Sequence, residues 1–144
     1  TNYTEVTPSN VMKWTEGRAI VATGSPFAPV THGGRIHRIG QANNVFIFPG
    51  MGLGVITVRA REVTDEMFLS AARALAECTG PDLVAQGQLF PNISDVREVS
   101  RMVAIAVARK AIEQGVADPV SDLEAMIGDE MWVPEYLPYR LAGV

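Results

Sequence analysis

Asn43 and Asn44 are the residues whose type and spacing most directly suggest chemistry. Two adjacent carboxamides offer donors and acceptors without a charge, so together they can hold a carboxylate or a cofactor amide. They lie in the stretch Gln41-Ala42-Asn43-Asn44-Val45-Phe46-Ile47-Phe48-Pro49-Gly50-Met51-Gly52-Leu53-Gly54, where amides lead into an apolar run punctuated by glycine. Glycines at 50, 52 and 54 let another backbone or a ligand come close. The plainer alternative is that one Asn caps backbone amides ahead of a helix, as Asn often does. Residue types alone leave both readings open. A second candidate is Gly24-Ser25-Pro26, a turn directly after the short run Ala19-Ile20-Val21-Ala22-Thr23. Ligands of open α/β sheets sit just beyond the carboxyl ends of strands, where this turn would lie.

Other reactive side chains have simpler explanations. His32 and His37 are five apart, matching neither helical metal-ligand spacing nor a same-face strand pair, and are expected as exposed hairpin side chains. Asp65 and Glu66 sit in a first helical turn, where acidic residues favour the dipole. Cys78, the one cysteine, falls late in a helical stripe and reads as a buried thiol. Arg97 and Arg101, near Asp95 and Glu98, read as surface ion pairs worth little each.

The elements that must position these groups follow from local pattern. Thr7-Pro8 opens a helix, with a hydroxyl cap and proline at the first helical position, and Gly17 ends it. Ala19 to Thr23 is short and β-branched between glycines, which predicts a buried strand. Val30 to Ile39 predicts a hairpin around Gly33-Gly34. Pro49 fits a helix's first turn, so a helix is expected from about Pro49 to Arg59, with Asn43 and Asn44 in the turn before its positive end. Thr64 should cap a helix whose stripe is Phe68, Ala71, Ala72, Leu75 and Ala76, ended at Gly80-Pro81. Ser94 should cap the longest helix, running to about Gln114, apolar nearly all round from Met102 to Ala108. Ser121 to Glu124 reads as a capping box for a last helix. Met131 to Arg140 is aromatic and proline-broken. If exposed it is an adhesive patch, expected against another subunit or another part of a parent protein.

Bulk properties narrow the function classes. The 144 residues suit one domain, residues 1–144, with about 116–144 as a helical tail, and 47% apolar content against 19% charged describes a packed globule. A net charge of −4 argues against a nucleic-acid partner. The longest apolar run, Val45 to Val58, has 14 residues, and a membrane span needs roughly 20. One cysteine fits a reducing, cytoplasmic setting. A start at Thr1 without Met suggests a piece of a longer protein.

Two motifs carry a family resemblance. Trp14-Thr15-Glu16-Gly17-Arg18-Ala19-Ile20-Val21-Ala22-Thr23-Gly24-Ser25-Pro26-Phe27 and the Gln41-to-Gly54 stretch resemble the C-terminal part of malic enzymes. Thr64-Asp65-Glu66-Met67 and Ser94 to Ser100 resemble further segments of that family. The resemblance implies an α/β fold, the C-terminal part of a Rossmann-like nucleotide-binding domain, helix-rich with few short strands. It implies a parent that oxidatively decarboxylates malate to pyruvate and CO2, reducing NAD or NADP with the help of Mg or Mn. On this likeness Asn44 and Asn43 contact malate and the nicotinamide end of the cofactor, and Gly24 and Ser25 close the cofactor side. Asn2, in Thr1-Asn2-Tyr3-Thr4, resembles a further substrate asparagine only loosely, since Tyr3 replaces a proline. The family's proton-transferring tyrosine and lysine, its acidic metal ligands and its dinucleotide loop lie upstream. Tyr136, Tyr139, Lys13 and Lys110 stand in unrelated contexts. The chain alone is therefore expected to be inactive and to need the missing N-terminal part, in an enzyme that forms homo-oligomers. The alternatives are a malolactic enzyme, converting malate to lactate without net redox change, and a non-catalytic assembly module.

Overall fold

The structure, a computed structural model, describes residues 4–136 together with Pro138 and Tyr139. Its first third is a thin layer of turns and short strands, and the rest is helical. Helix α1 (Pro8–Trp14) begins at Thr7, whose side chain accepts from the Asn10 N–H, and buries Met12. Strand β1 (Ala22–Thr23) follows, then the hairpin of β2 (Val30–His32) and β3 (Arg35–His37), then β4 (Gly40–Gln41). The hairpin turns through Gly33 and Gly34, with φ of 57° and 76°. Both lie in the left-handed region that a two-residue turn of this kind requires.

The Ala19-to-Thr23 expectation is only partly met. Ala22 and Thr23 alone pair, in parallel with Gly40 and Gln41, and Ile20 is left exposed. Among the described residues this pair has no third strand to cover it. Its partner β4 is two residues long, too short to show any periodicity in sequence.

The core lies in the helical part. Helix α2 (Phe48–Thr57) has proline at its start, and α3 (Asp65–Ala85) is capped by Thr64 and broken at Gly80, φ 66°. Helix α4 (Val96–Glu113) touches α2, α3 and α5 (Leu123–Glu130), which explains why its Val103-to-Ala108 segment is apolar on nearly every side. Gly50 and Gly54 fit under α4: a Cβ at either would stand 2.6 Å from the carbonyl oxygen of Ser100 or Ala104. Gly52, on the other face, meets nothing within 4 Å. Close packing is thus carried by a four-residue repeat, 50 and 54, which puts both glycines on one side of the helix.

Three local expectations are corrected. The buried stripe of α3 is Met67, Ala71, Ala74, Leu75 and Thr79, while Phe68, Ala72 and Ala76 face outward. Both stripes satisfy the helical period, and the position of α4 selects between them. Ser94 does not cap α4, because a 3-10 turn (Ile93–Asp95) intervenes and Ser94 Oγ bonds Asp95 Oδ1. Helix α5 is capped by Asp122, which accepts from the Ala125 N–H at 3.0 Å, one residue later than the box at Ser121 places it. Asp122 does the same task as the expected serine, so sequence could not separate them. The Met131-to-Tyr136 segment is non-helical as expected, with Trp132 76% exposed and its carbonyl held by Arg97.

Candidate functional site

The two sequence candidates meet at one edge of the strand pair. Parallel register sets Ala22 beside Gly40 and Thr23 beside Gln41. The ladder extends one step further, where the Ala42 N–H donates to the Thr23 carbonyl at 2.9 Å. The Gly24-Ser25 turn and the Ala42-to-Asn44 turn therefore leave the carboxyl ends of neighbouring strands side by side, the position at which α/β sheets present ligands.

Two side chains hold the Gly24-Ser25 turn, one from the strand leading into it and one from the neighbouring strand. Thr23 Oγ1 donates to the Ser25 carbonyl at 2.8 Å, and Gln41 Nε2 donates to the Gly24 carbonyl at 3.4 Å. Consecutive carbonyls are thus held by the two residues that face each other across the ladder. Since a peptide unit is planar, fixing each carbonyl fixes the plane of its peptide. Sequence reading gave neither residue this role; Gln41 lies in the motif, but its partner is seventeen residues away and set by the strand register.

The two asparagines do different things. Asn43 is extended (φ −122°, ψ 137°) and its Oδ1 accepts from the Val45 N–H at 3.0 Å, capping a 3-10 turn (Asn44–Phe46). Its carbonyl oxygen is committed to the fold, and its amide NH2 is what it could offer a ligand. Asn44 is exposed, and among the described residues its carboxamide has no hydrogen-bond partner. Two positions on, Phe46 is fully buried and stacks on Phe90, ring centroids 6.3 Å apart. That anchor fixes where the Asn44 turn stands; burying a phenylalanine of this kind contributes about 1.5–3 kcal/mol.

Gly24 has no structural need to be glycine. Its φ is outside the left-handed region, and an added Cβ would meet nothing within 4 Å. The space above the turn is open. Beside it, a cleft of about 370 Å³ is lined by Thr4, Val6, Val11, Thr23, Ser25 and Phe27, among others. Asn43 and Asn44 do not line that cleft. Asn2 lies outside the described residues.

The remaining candidates fall elsewhere. His32 and His37 prove to share one face of the hairpin, contrary to expectation: His32 pairs with Arg35 and His37 with Val30, and the tight turn brings both rings to one side. Their centroids are 6.5 Å apart, both are half-buried, and they pack on Gly17, where a Cβ would stand 3.2 Å from the His32 ring. Cys78 is half-buried, and burial, with Glu98 and Glu77 nearby, pushes its thiol pKa up, the opposite of an activated nucleophile. Arg101 pairs with Glu98 and Glu124, while Arg97 donates to the Trp132 carbonyl. Among the described residues no group of three His, Cys, Asp or Glu is placed to hold a metal ion, and no helix is long and apolar enough to cross a membrane.

The open carboxamide can donate through its NH2 and accept through its oxygen. A family profile described as "Malic enzyme, NAD binding domain" matches residues 1–112. The NAD-dependent malic enzyme of Aliivibrio fischeri (strain ATCC 700601 / ES114) is 47% identical over 142 residues, 97% of this chain and 25% of that protein. Its counterpart in Vibrio parahaemolyticus is 48% identical over the same shares. Among solved structures, malic enzymes of Entamoeba histolytica and Pyrococcus horikoshii are similar, with TM-scores of 0.64 and 0.61 at 29% identity. Each alignment covers 87% of this chain and about a quarter of the solved one, 23% and 25%. The chain spans about a quarter of the length of the curated relatives it matches.

Proposed function

This chain belongs to the malic enzyme family, in its NAD-binding domain, and from that premise we propose that it forms the nicotinamide and substrate edge of an NAD-dependent malic enzyme. The observation that carries the reading is Asn44: an exposed carboxamide without a partner among the described residues, beside the Gly24-Ser25 turn at the carboxyl end of a parallel strand pair. In the parent enzyme malate is oxidised to oxaloacetate, which loses CO2 to give pyruvate. NAD supplies the hydride acceptor. Asn44 donates its amide protons to a malate carboxylate and offers its oxygen to the cofactor carboxamide, orienting both without adding a charge that would repel the substrate. Asn43 contributes through its NH2 and by holding the turn. The clasp of Thr23 and Gln41 keeps Gly24 and Ser25 in place against the cofactor.

A divalent cation, Mg or Mn, would polarise the hydroxyl and carbonyl oxygens of the substrate. The described residues do not fit such an ion, so its ligands, with the acid and base, belong to the rest of the enzyme. The 144 residues alone are therefore inactive on this reading. The parent is a cytoplasmic homo-oligomer, and the apolar groove of Val45, Pro49, Leu53, Val96, Met131 and Trp132 supports an interface at the tail.

The test uses the full-length parent enzyme, assayed for malate-dependent NAD reduction with manganese. Asn44→Ala is expected to lower kcat/KM for malate roughly 10- to 100-fold, the worth of one hydrogen bond to a charged group, with Tm unmoved. Unchanged turnover in the Asn43→Ala/Asn44→Ala double variant would sink the reading in favour of an assembly module. Lactate formed without net reduction would identify malolactic chemistry instead.

A further inference from the structure

At the other end of the same strand pair lies a second cleft, of about 530 Å³, lined by Gly17 to Ile20, Arg35 to Arg38 and Val84 to Gly87. Residues 17–20 lead into β1 and residues 36–38 into β4, so this cleft sits at the amino ends of the strands, opposite the Asn44 turn. Its lining holds Arg18, Arg35, Arg38 and His37 and no aspartate or glutamate, in a chain whose acidic residues outnumber its basic ones, 16 to 12. None of the three arginines makes an ion pair among the described residues; Arg18 donates through Nε to the Thr15 carbonyl at 3.1 Å, which leaves its two terminal NH2 groups uncommitted. Arg61, Arg101 and Arg109 each have a carboxylate within 4 Å; Arg59, Arg73 and Arg97, like the cleft arginines, have none among the described residues.

We propose that this cleft binds a small oxyanion carrying two or more negative charges. Three arginines line this concavity with no carboxylate in the lining, so the charge it presents is positive and favours an anion. Planar N–H forks suit phosphate or carboxylate oxygens, which they can engage in pairs. The carriers are well supported. The Arg35 and Arg38 backbones belong to the hairpin and its exit, and Gly17 packs against both histidine rings. Phosphate esters and polycarboxylates share this chemistry, and the probes below separate them.

The experiment is calorimetric titration of the full-length parent enzyme at constant ionic strength, without divalent metal and with NAD saturating so that the cofactor's own phosphate pocket is filled. Pyrophosphate and citrate are the two probes, with chloride as the control. Saturable binding of either probe, weakened roughly tenfold or more in Arg35→Gln and in Arg38→Gln, is the expected result. Pyrophosphate alone binding would assign the cleft to phosphate, citrate alone to polycarboxylates. No saturable binding, or binding that survives both substitutions, would overturn the proposal. A lowered Tm in the variants together with no anion binding would also overturn it, by showing that the arginines hold another part of the enzyme. Arg35→Lys and Arg38→Lys keep the charge but lose the planar fork. They should bind more weakly than the native enzyme and more tightly than the glutamine variants, which tells misfolding of the latter apart from loss of charge.

Discussion

One continuous stretch of sequence contributes to two regions with opposite physical characters. From Gly50 to Gly54 it forms a seam, where backbone of α4 presses within 2.6 Å of the place a Cβ would occupy. From Gln41 to Asn44 it forms an open turn, where Asn44 is exposed and has no partner among the described residues. The seam is determined by shape, and its two contact positions, Gly50 and Gly54, have no room for an added atom. The turn is determined by hydrogen bonds, with free space around it. Phe46 joins them, buried in the core and only two residues from Asn44. The open turn is therefore placed by a buried aromatic two residues downstream rather than by anything in the thin strand layer.

The strongest way to break that comparison is at its joint. Phe46→Ala should cost about 3–5 kcal/mol, the usual penalty for emptying such a site, and should lower both Tm and activity of the parent enzyme. Loss of activity alone would mean that Phe46 is not the anchor. Within the seam, Gly50→Ala should destabilise by about 1–3 kcal/mol through overpacking. Gly52→Ala, two residues away and unobstructed, should instead be neutral or stabilise by up to about 1 kcal/mol through helix propensity. Equal effects at 50 and 52 in urea unfolding would refute the one-sided seam.

In the turn layer effects should shift from stability to cofactor use. Thr23→Val removes one donor with little change in volume; it should raise KM for NAD about fivefold, on the order of one neutral hydrogen bond, and scarcely move Tm. A Tm drop without a KM change would make the clasp purely structural. The smallest effect is electrostatic. Glu66, at the start of α3, has its pKa lowered first by its own backbone N–H and then by the Gln114 carboxamide at 3.2 Å. A depressed carboxylate stabilises the fold above its unfolded value, near 4.5, and that contribution is lost as pH falls through the folded value. Glu66→Gln should therefore sit slightly below the native Tm at neutral pH, and the two curves should converge in acid.

Much of the helical layer was legible because its signals are local. Thr7-Pro8, Thr64, Pro49 and Gly80 announce starts and stops through backbone preferences that need no partner. The hairpin turn at Gly33-Gly34 was equally plain. What failed was rotational or relational. The α3 stripe was misread by one position, because Met67 and Phe68 fit the same period and only the placement of α4 decides which is buried. The shared face of His32 and His37 was missed because sequence spacing across a turn does not reveal cross-strand register. Strand β4 was missed because two residues carry no period.

By itself the sequence determined the order of helices, the hairpin, the family and the stretch in which the candidate site lies. Those depend on short-range preferences and on motif residues that can be read one after another. Only the tertiary structure decided that Gly24-Ser25 stands beside the asparagine turn, and that three arginines line one cleft at the far end of the strands. Each of these rests on the parallel register of β1 and β4 or on the crossing of α2 and α4. Both are contacts between residues far apart in the chain, whose geometry no local preference encodes.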